Sequence, residues 1–109
     1  MTTINYATVE NAAAGYTQVE WAGLASGDDG QIFDCAGLEL ASVQTFGSFG
    51  GTMKVEGSNE VTPSSFSEVY STGGNDMVGY EPGRHMKAIR PVFSGGGAGT
   101  GKVALFLHR

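Results

Sequence analysis

The sequence predicts an all-β fold, a single antiparallel domain of the β-sandwich or barrel type built from seven to eight short strands. Three observations predict it. The 109 residues include 18 glycines and 3 prolines without a collagen-like period, so glycine here marks turns. Apolar residues alternate with polar ones in short runs such as Met53-Lys54-Val55-Glu56, the pattern of a half-buried strand. These runs recur every 8–12 residues or so, the rhythm of a sandwich. A chain of this length buries roughly 60–68% of its unfolded surface, enough for one core.

The elements follow in order. Residues 1–15 are weakly patterned, with Ala12-Ala13-Ala14 as the only helical hint. They read as an extended N-terminal arm or edge strand that reaches a neighbour, ahead of a sandwich over residues 16–109. Thr17 to Trp21 is a strand, and Trp21 is the largest apolar anchor. Gly27-Asp28-Asp29-Gly30 is a tight turn. Ile32 to Cys35 and Leu38 to Phe46 are strands. In the second, Leu40 and Val43 fall on opposite phases, which a bulge near Ala41-Ser42 would reconcile.

Met53 to Glu56 is the next strand, and Gly57-Ser58-Asn59 supplies residues that let the chain reverse. Residues 59–65 form a polar loop, and Phe66 to Tyr70 is a strand. Residues 72–84, with Gly73-Gly74-Asn75-Asp76 and Pro82-Gly83, read as the longest loop. Met86 to Ser94 is a strand in which Pro91 must sit at an edge, an end or a bulge. Residues 95–101 form a glycine turn before Val103 to Leu107. That last strand is apolar on both faces, so its second face is covered by a second layer or another subunit. Trp21, Phe46 and Phe49 are assigned to the core.

Charge narrows the function. The net charge is −5, only 16% of residues are charged, and no Lys or Arg precedes Lys54. Six acidic residues do precede it: Glu10, Glu20, Asp28, Asp29, Asp34 and Glu39. They form either a solvated acidic face or a surface that docks on a basic partner. Nucleic-acid binding is excluded because phosphate neutralisation needs clustered cations. No membrane-spanning or signal-like run occurs, so synthesis in the cytoplasm is expected. Cys35 stands alone and reads as a small buried hydrophobe.

Chemistry-bearing patterns are sparse. His85 and His108 lack HxH or HExxH spacing and read as surface residues. Asp28, Asp29 and Asp34 are either an acidic turn or calcium ligands, and the turn is the simpler reading. The run from Gly95 to Lys102 superficially matches a phosphate loop, but it opens into a strand and offers no helix N-terminus. No nucleophile elbow accompanies Ser64-Ser65. A non-enzymatic protein without catalytic residues, metal or cofactor is expected.

Several segments, taken as an ordered series, carry a resemblance. They are Trp21-Ala22-Gly23-Leu24 with Gly27-Asp28, the run from Ser42 to Gly51, Val55 to Asn59, and Ile89-Arg90-Pro91-Val92 with Ser94-Gly95-Gly96. The series resembles the capsid decoration (cement) proteins of tailed bacteriophages. That resemblance implies a jelly-roll-like β-sandwich on the outer capsid surface of the virion, a homo-oligomer that clamps neighbouring major capsid subunits. A dimer is favoured over a trimer.

The contacts expected on this basis are Ile4, Tyr6 and Val9 along the capsid, with Ala104 and Phe106 at the self-contact. Arg90 is either a contact residue or the partner of a local carboxylate. The Gly57-Ser58-Asn59 corner followed by an Arg-bearing strand also resembles discoidin-type carbohydrate-binding sandwiches. The chain departs from both patterns after Asn59, where Glu60-Val61 and Phe66 lengthen the turn. The alternative is therefore a carbohydrate-binding module on a phage fibre or other virion appendage, using Tyr70 or Tyr80 near Asn75 and Asp76.

Overall fold

The structure is a computed structural model that describes residues 2–11, 13–47, 50–95 and 99–109. It contains eleven strands: β1 (Thr3–Ile4), β2 (Tyr6–Asn11), β3 (Tyr16–Ala25), β4 (Asp29–Gly30), β5 (Phe33–Asp34), β6 (Glu39–Gly47), β7 (Thr52–Ser58), β8 (Ser67–Thr72), β9 (Asp76–His85), β10 (Ala88–Ser94) and β11 (Thr100–His108). Three of these are two-residue bridges, which leaves eight longer strands among the described residues.

They form two sheets. One runs β1-β4-β10-β7-β8, with β5 also on β10, and the other runs β2-β3-β11-β6-β9. From β3 onward the chain crosses between the sheets at most connections; β4–β5 and β7–β8 stay within one, as does the earlier β2–β3 pair. The last two strands, β10 and β11, insert into the middle of their sheets. Interlocked Greek keys of this kind make a jelly roll, so the fold is an all-β jelly-roll-like sandwich.

Alternation along the strands builds the core. Val19, Trp21 and Leu24 of β3 meet Leu40 and Val43 of β6, Met53 and Val55 of β7, Ile89 and Phe93 of β10, and Val103, Leu105 and Leu107 of β11. All are essentially inaccessible to solvent. The β-bulge falls at Ala41, where pairing steps from Leu40 to Ser42 against both β11 and β9. The extra residue lets Leu40 and Val43, three apart, share the inner face. Pro91 pairs with Val55 on one side, and on the other it lies between the stretches where β10 meets β5 and β4. The missing N–H there interrupts no continuous ladder.

Three expectations change. Residues 76–85 form the edge strand β9 and not a loop, because an edge position tolerates Pro82, Gly79 and Gly83. The chain does not reverse at Gly57-Ser58, since β7 continues through Ser58 and Gly57 pairs with both Ile89 and Ser67. Gly57 lies close under the Met86 side chain, whose sulfur would stand 2.6 Å from a Cβ there. Phe46 faces outward, with the Lys102 ammonium 4.4 Å from its ring centre. Trp21 is in the core, whereas Phe49 lies outside the described residues.

The first residues are woven into both sheets. β1 pairs parallel with β4, and β2 runs antiparallel along the whole of Tyr16–Trp21. Tyr6 packs edge-on against Trp21 and Phe33, at 6.0 and 5.3 Å between ring centres.

Candidate functional site

The feature with most capacity for recognition is the outer face of the five-stranded sheet. Strand alternation turns one residue in two away from the core, and the pairing register aligns them in rows across the sheet. One row reads Val9, Gln18, Phe106, Ser42, Gly79, and the next reads Ala7, Glu20, Ala104, Gln44, Met77. Val9, Met77 and Phe106 are 62, 65 and 38% exposed. A shallow cleft of about 260 Å³ lies between Met77 and Phe106, lined also by Gln18, Ser42, Gln44 and Ala104. Its lining bears no charge.

Charge gathers at the two ends of this face. At one end Lys102 lies 3.8 Å from Glu20 and covers Phe46. At the other, the register sets His108, Glu39 and His85 side by side on β11, β6 and β9. The Glu39 carboxylate lies 2.8 Å from His85 Nε2 and 3.7 Å from His108 Nε2. Sequence spacing separated these two histidines, and only strand pairing brings them to one carboxylate. Among the described residues no group of three His, Cys, Asp or Glu side chains is arranged to hold a metal.

A second concavity, about 720 Å³, opens at one end of the sandwich between β7, β8 and the end of β9. Its polar lining includes Asn59, Glu60, Ser67, Glu68, Arg84 and His85. Glu60 is committed there to its own loop, accepting from Ser64 N–H at 2.9 Å and Ser65 N–H at 2.7 Å. Those bonds hold its carboxyl below the usual carboxylate range.

The structure separates the sequence-predicted site residues. Val9, Ala104 and Phe106 lie together on the outer face described above. Ile4 and Tyr6 turn inward and pack on the core. Arg90 sits opposite Glu56 across the β10–β7 pair, 3.3 Å from its carboxylate, 3.9 Å from Asp29 and over the Phe66 ring at 4.1 Å. It is thus paired with local carboxylates. Met77 and Gln44 were missed, and Met77 was missed because residues 72–84 were read as a loop.

Of the glycan-site candidates, Tyr70 and Asp76 engage each other, and Asn75 and Tyr80 have neighbours of their own. The Tyr70 hydroxyl donates to Asp76, and burial followed by that bond raises its pKa. Asn75 accepts from Gly47 N–H at 2.8 Å, and Tyr80 lies under the Arg84 guanidinium at 4.5 Å.

The acidic half of the sequence forms no single acidic face. Asp28 accepts backbone N–H groups from Thr2 at 3.1 Å and Ala25 at 3.0 Å. Asp34 meets Lys87 at 2.7 Å, and this bond, with a second from Ala36 N–H, lowers its pKa. Asp29, Glu20 and Glu39 face Arg90, Lys102 and the histidines respectively. The three aspartates thus serve separate contacts and do not converge on a calcium site.

No protein-family model and no curated protein matches the chain. Solved structures do. A CENP-C domain from Drosophila melanogaster aligns at TM-score 0.43 and 6% identity, covering 93% of this chain and 72% of that one. A second structure, the CENP-C cupin domain of the same fly, aligns at 0.39 and 6%, covering 93% and 70%. A cupin domain from Bordetella pertussis Tohama I aligns at 0.38 and 11%, covering 99% and 96%. At such scores the assignment of fold rests on this chain's own strand order, which is that of a jelly-roll-like β-sandwich.

Proposed function

We propose that this protein is a structural, non-catalytic virion component. It binds the outer surface of an assembled phage capsid, clamps neighbouring major capsid subunits and stabilises the shell. The observation that carries the reading is the uncharged cleft on the outer face of the five-stranded sheet, where Met77 and Phe106 stand exposed among Ala104, Gln18, Ser42 and Gln44, with exposed Val9 in the Phe106 row. Exposed apolar groups rimmed by polar ones mark protein interaction surfaces. The ordered series of segments similar to decoration proteins supplies the partner.

The energetics suit such a role. A ligand that binds only the assembled lattice stabilises it by mass action, and many copies multiply a modest affinity per site. No cofactor is required. Co-sedimentation with assembled capsids tests the proposal. Wild-type protein pellets with shells, and Met77→Lys or Phe106→Lys reduces occupancy about tenfold or more by placing a charge in the contact. Equal occupancy by both variants, or no binding to any shell, overturns it.

The second reading, a carbohydrate-binding module, draws on the polar groove lined by Asn59, Glu68, Arg84 and His85. Glycan-array binding lost in Arg84→Ala would favour it over capsid attachment.

A further inference from the structure

The free edge of the five-stranded sheet carries an inference that goes beyond the capsid reading. We propose that two copies of this chain pair antiparallel through β2, with Val9 opposite Val9 of the second copy, so that two five-stranded sheets join into one. Three observations lead there: the lack of edge protection on β2, the direction of its free backbone groups, and its charge pattern.

Sheet edges are usually guarded by proline, lysine, bulges or brevity. The opposite edge, β9, contains Pro82 and faces the bulge at Ala41. The outer strand β8 of the other sheet pairs through a register shift between Val55 and Glu56, and β1 is two residues long. β2 has none of these, and its single charge is Glu10. Its six residues, Tyr-Ala-Thr-Val-Glu-Asn, pair with β3 without a shift, and residues 7–11 are exposed.

The free backbone groups are also defined. Tyr6 N–H donates to the Gln31 side chain at 3.3 Å and so points away from β3, while Asn11 C=O accepts from Gly15 N–H at 2.9 Å on the hairpin side. In an antiparallel pair these directions alternate residue by residue. Thr8 and Glu10 therefore present N–H and C=O to the open edge, and Ala7 and Val9 bond to β3.

Opposed residues must share a face, so only every second register is open. Centring on Val9 sets Thr8 against Glu10 of the second copy and uses all the free groups of both residues, leaving the Tyr6–Gln31 bond intact. It sets Ala7 against Asn11, and Val9 meets Val9 in the close, non-hydrogen-bonded pair. Centring on Glu10 would oppose two carboxylates, and centring on Thr8 would require Tyr6 N–H to leave Gln31. The Val9 register also makes the outer rows Val9-Gln18-Phe106 continuous across the two copies.

Sedimentation velocity from micromolar to millimolar protein, with cysteine cross-linking, tests the pairing. The wild type dimerises, and Val9→Lys raises the dissociation constant about tenfold or more. Thr8→Pro has a similar effect, because it removes a donor from the open edge and none from the β3 ladder. Mild oxidation of Val9→Cys yields a covalent dimer, since Cα atoms in a non-hydrogen-bonded pair lie within disulfide reach. The wild type, whose Cys35 is buried, yields none.

A protein that stays monomeric throughout overturns the proposal. So does a dimer unaffected by Val9→Lys, or one that cross-links through Met77→Cys and not through Val9→Cys. A dimer that ignores capsids leaves this pairing standing and removes only the capsid reading.

Discussion

At the scale of single residues, the anchor is Trp21. Its ring is fully buried, and its indole N–H donates to Gln31 C=O at 3.0 Å, which removes the cost of burying that polar group. Gly30 lies against the same ring, and a Cβ there would stand 2.3 Å from Pro91 Cδ and 2.8 Å from Trp21 Cδ1. Gly30→Ala should therefore destabilise the fold by about 1–3 kcal/mol through overpacking, read as a lower urea midpoint with an unchanged slope.

Cys35 makes a second residue-scale prediction. Burial, with the Asp34 charge beside it, pushes its thiol up to about 11 from an ordinary 9.0. In alkali the unfolded chain then loses its thiol proton before the folded one does. The resulting stabilisation is complete below pH 9.0 and disappears as pH rises through about 11. The difference between wild type and Cys35→Ala in unfolding free energy should shift by about 2 kcal/mol across that window.

Individual elements show what pattern reading captures and what it loses. The bulge in β6 was legible because Leu40 and Val43 sit on opposite phases of an otherwise apolar strand. Its consequence is testable: deleting Ala41 would force either Leu40 or Val43 to the outer face. Circular dichroism melting of that deletion variant should show a loss of at least about 2–3 kcal/mol, the cost of withdrawing one such side chain from the core.

β9 was lost to its breakers, although Val78 and Tyr80 carry a period-two signal and pack on the core. A proline or glycine ends an inner strand but only marks an outer one, and the sequence does not say which it is. The first fifteen residues present the same ambiguity. Extended and weakly apolar, they read equally as an arm or as an edge. The Tyr6 contacts with Trp21 and Phe33 make their removal a loss of core packing as well as of surface.

For the whole molecule, the jelly roll interleaves the two halves of the chain. β3 and β6, from the acidic half, flank β11, and β4 and β5 line one side of β10. That arrangement delivers Lys102, Arg90 and Lys87 to Glu20, Asp29 and Asp34. The charge asymmetry along the sequence therefore disperses in space. Pairing between distant segments also has a kinetic consequence, because loops must close before contacts stabilise them. Stopped-flow refolding followed by Trp21 fluorescence should fall in the range of about milliseconds to seconds, slower than a helical domain of this size.

Alternation, turn chemistry and the scarcity of charge are local properties, and they sufficed for an all-β sandwich, most of its inward-facing residues and the bulge. They also sufficed to single out β11 as a strand with two apolar faces. Which strands lie side by side depends on pairing between segments far apart in the chain, and no local pattern encodes it. That pairing turned Arg90 toward Glu56, set His85 and His108 on Glu39, placed Met77 beside Phe106, and left one unguarded edge at β2.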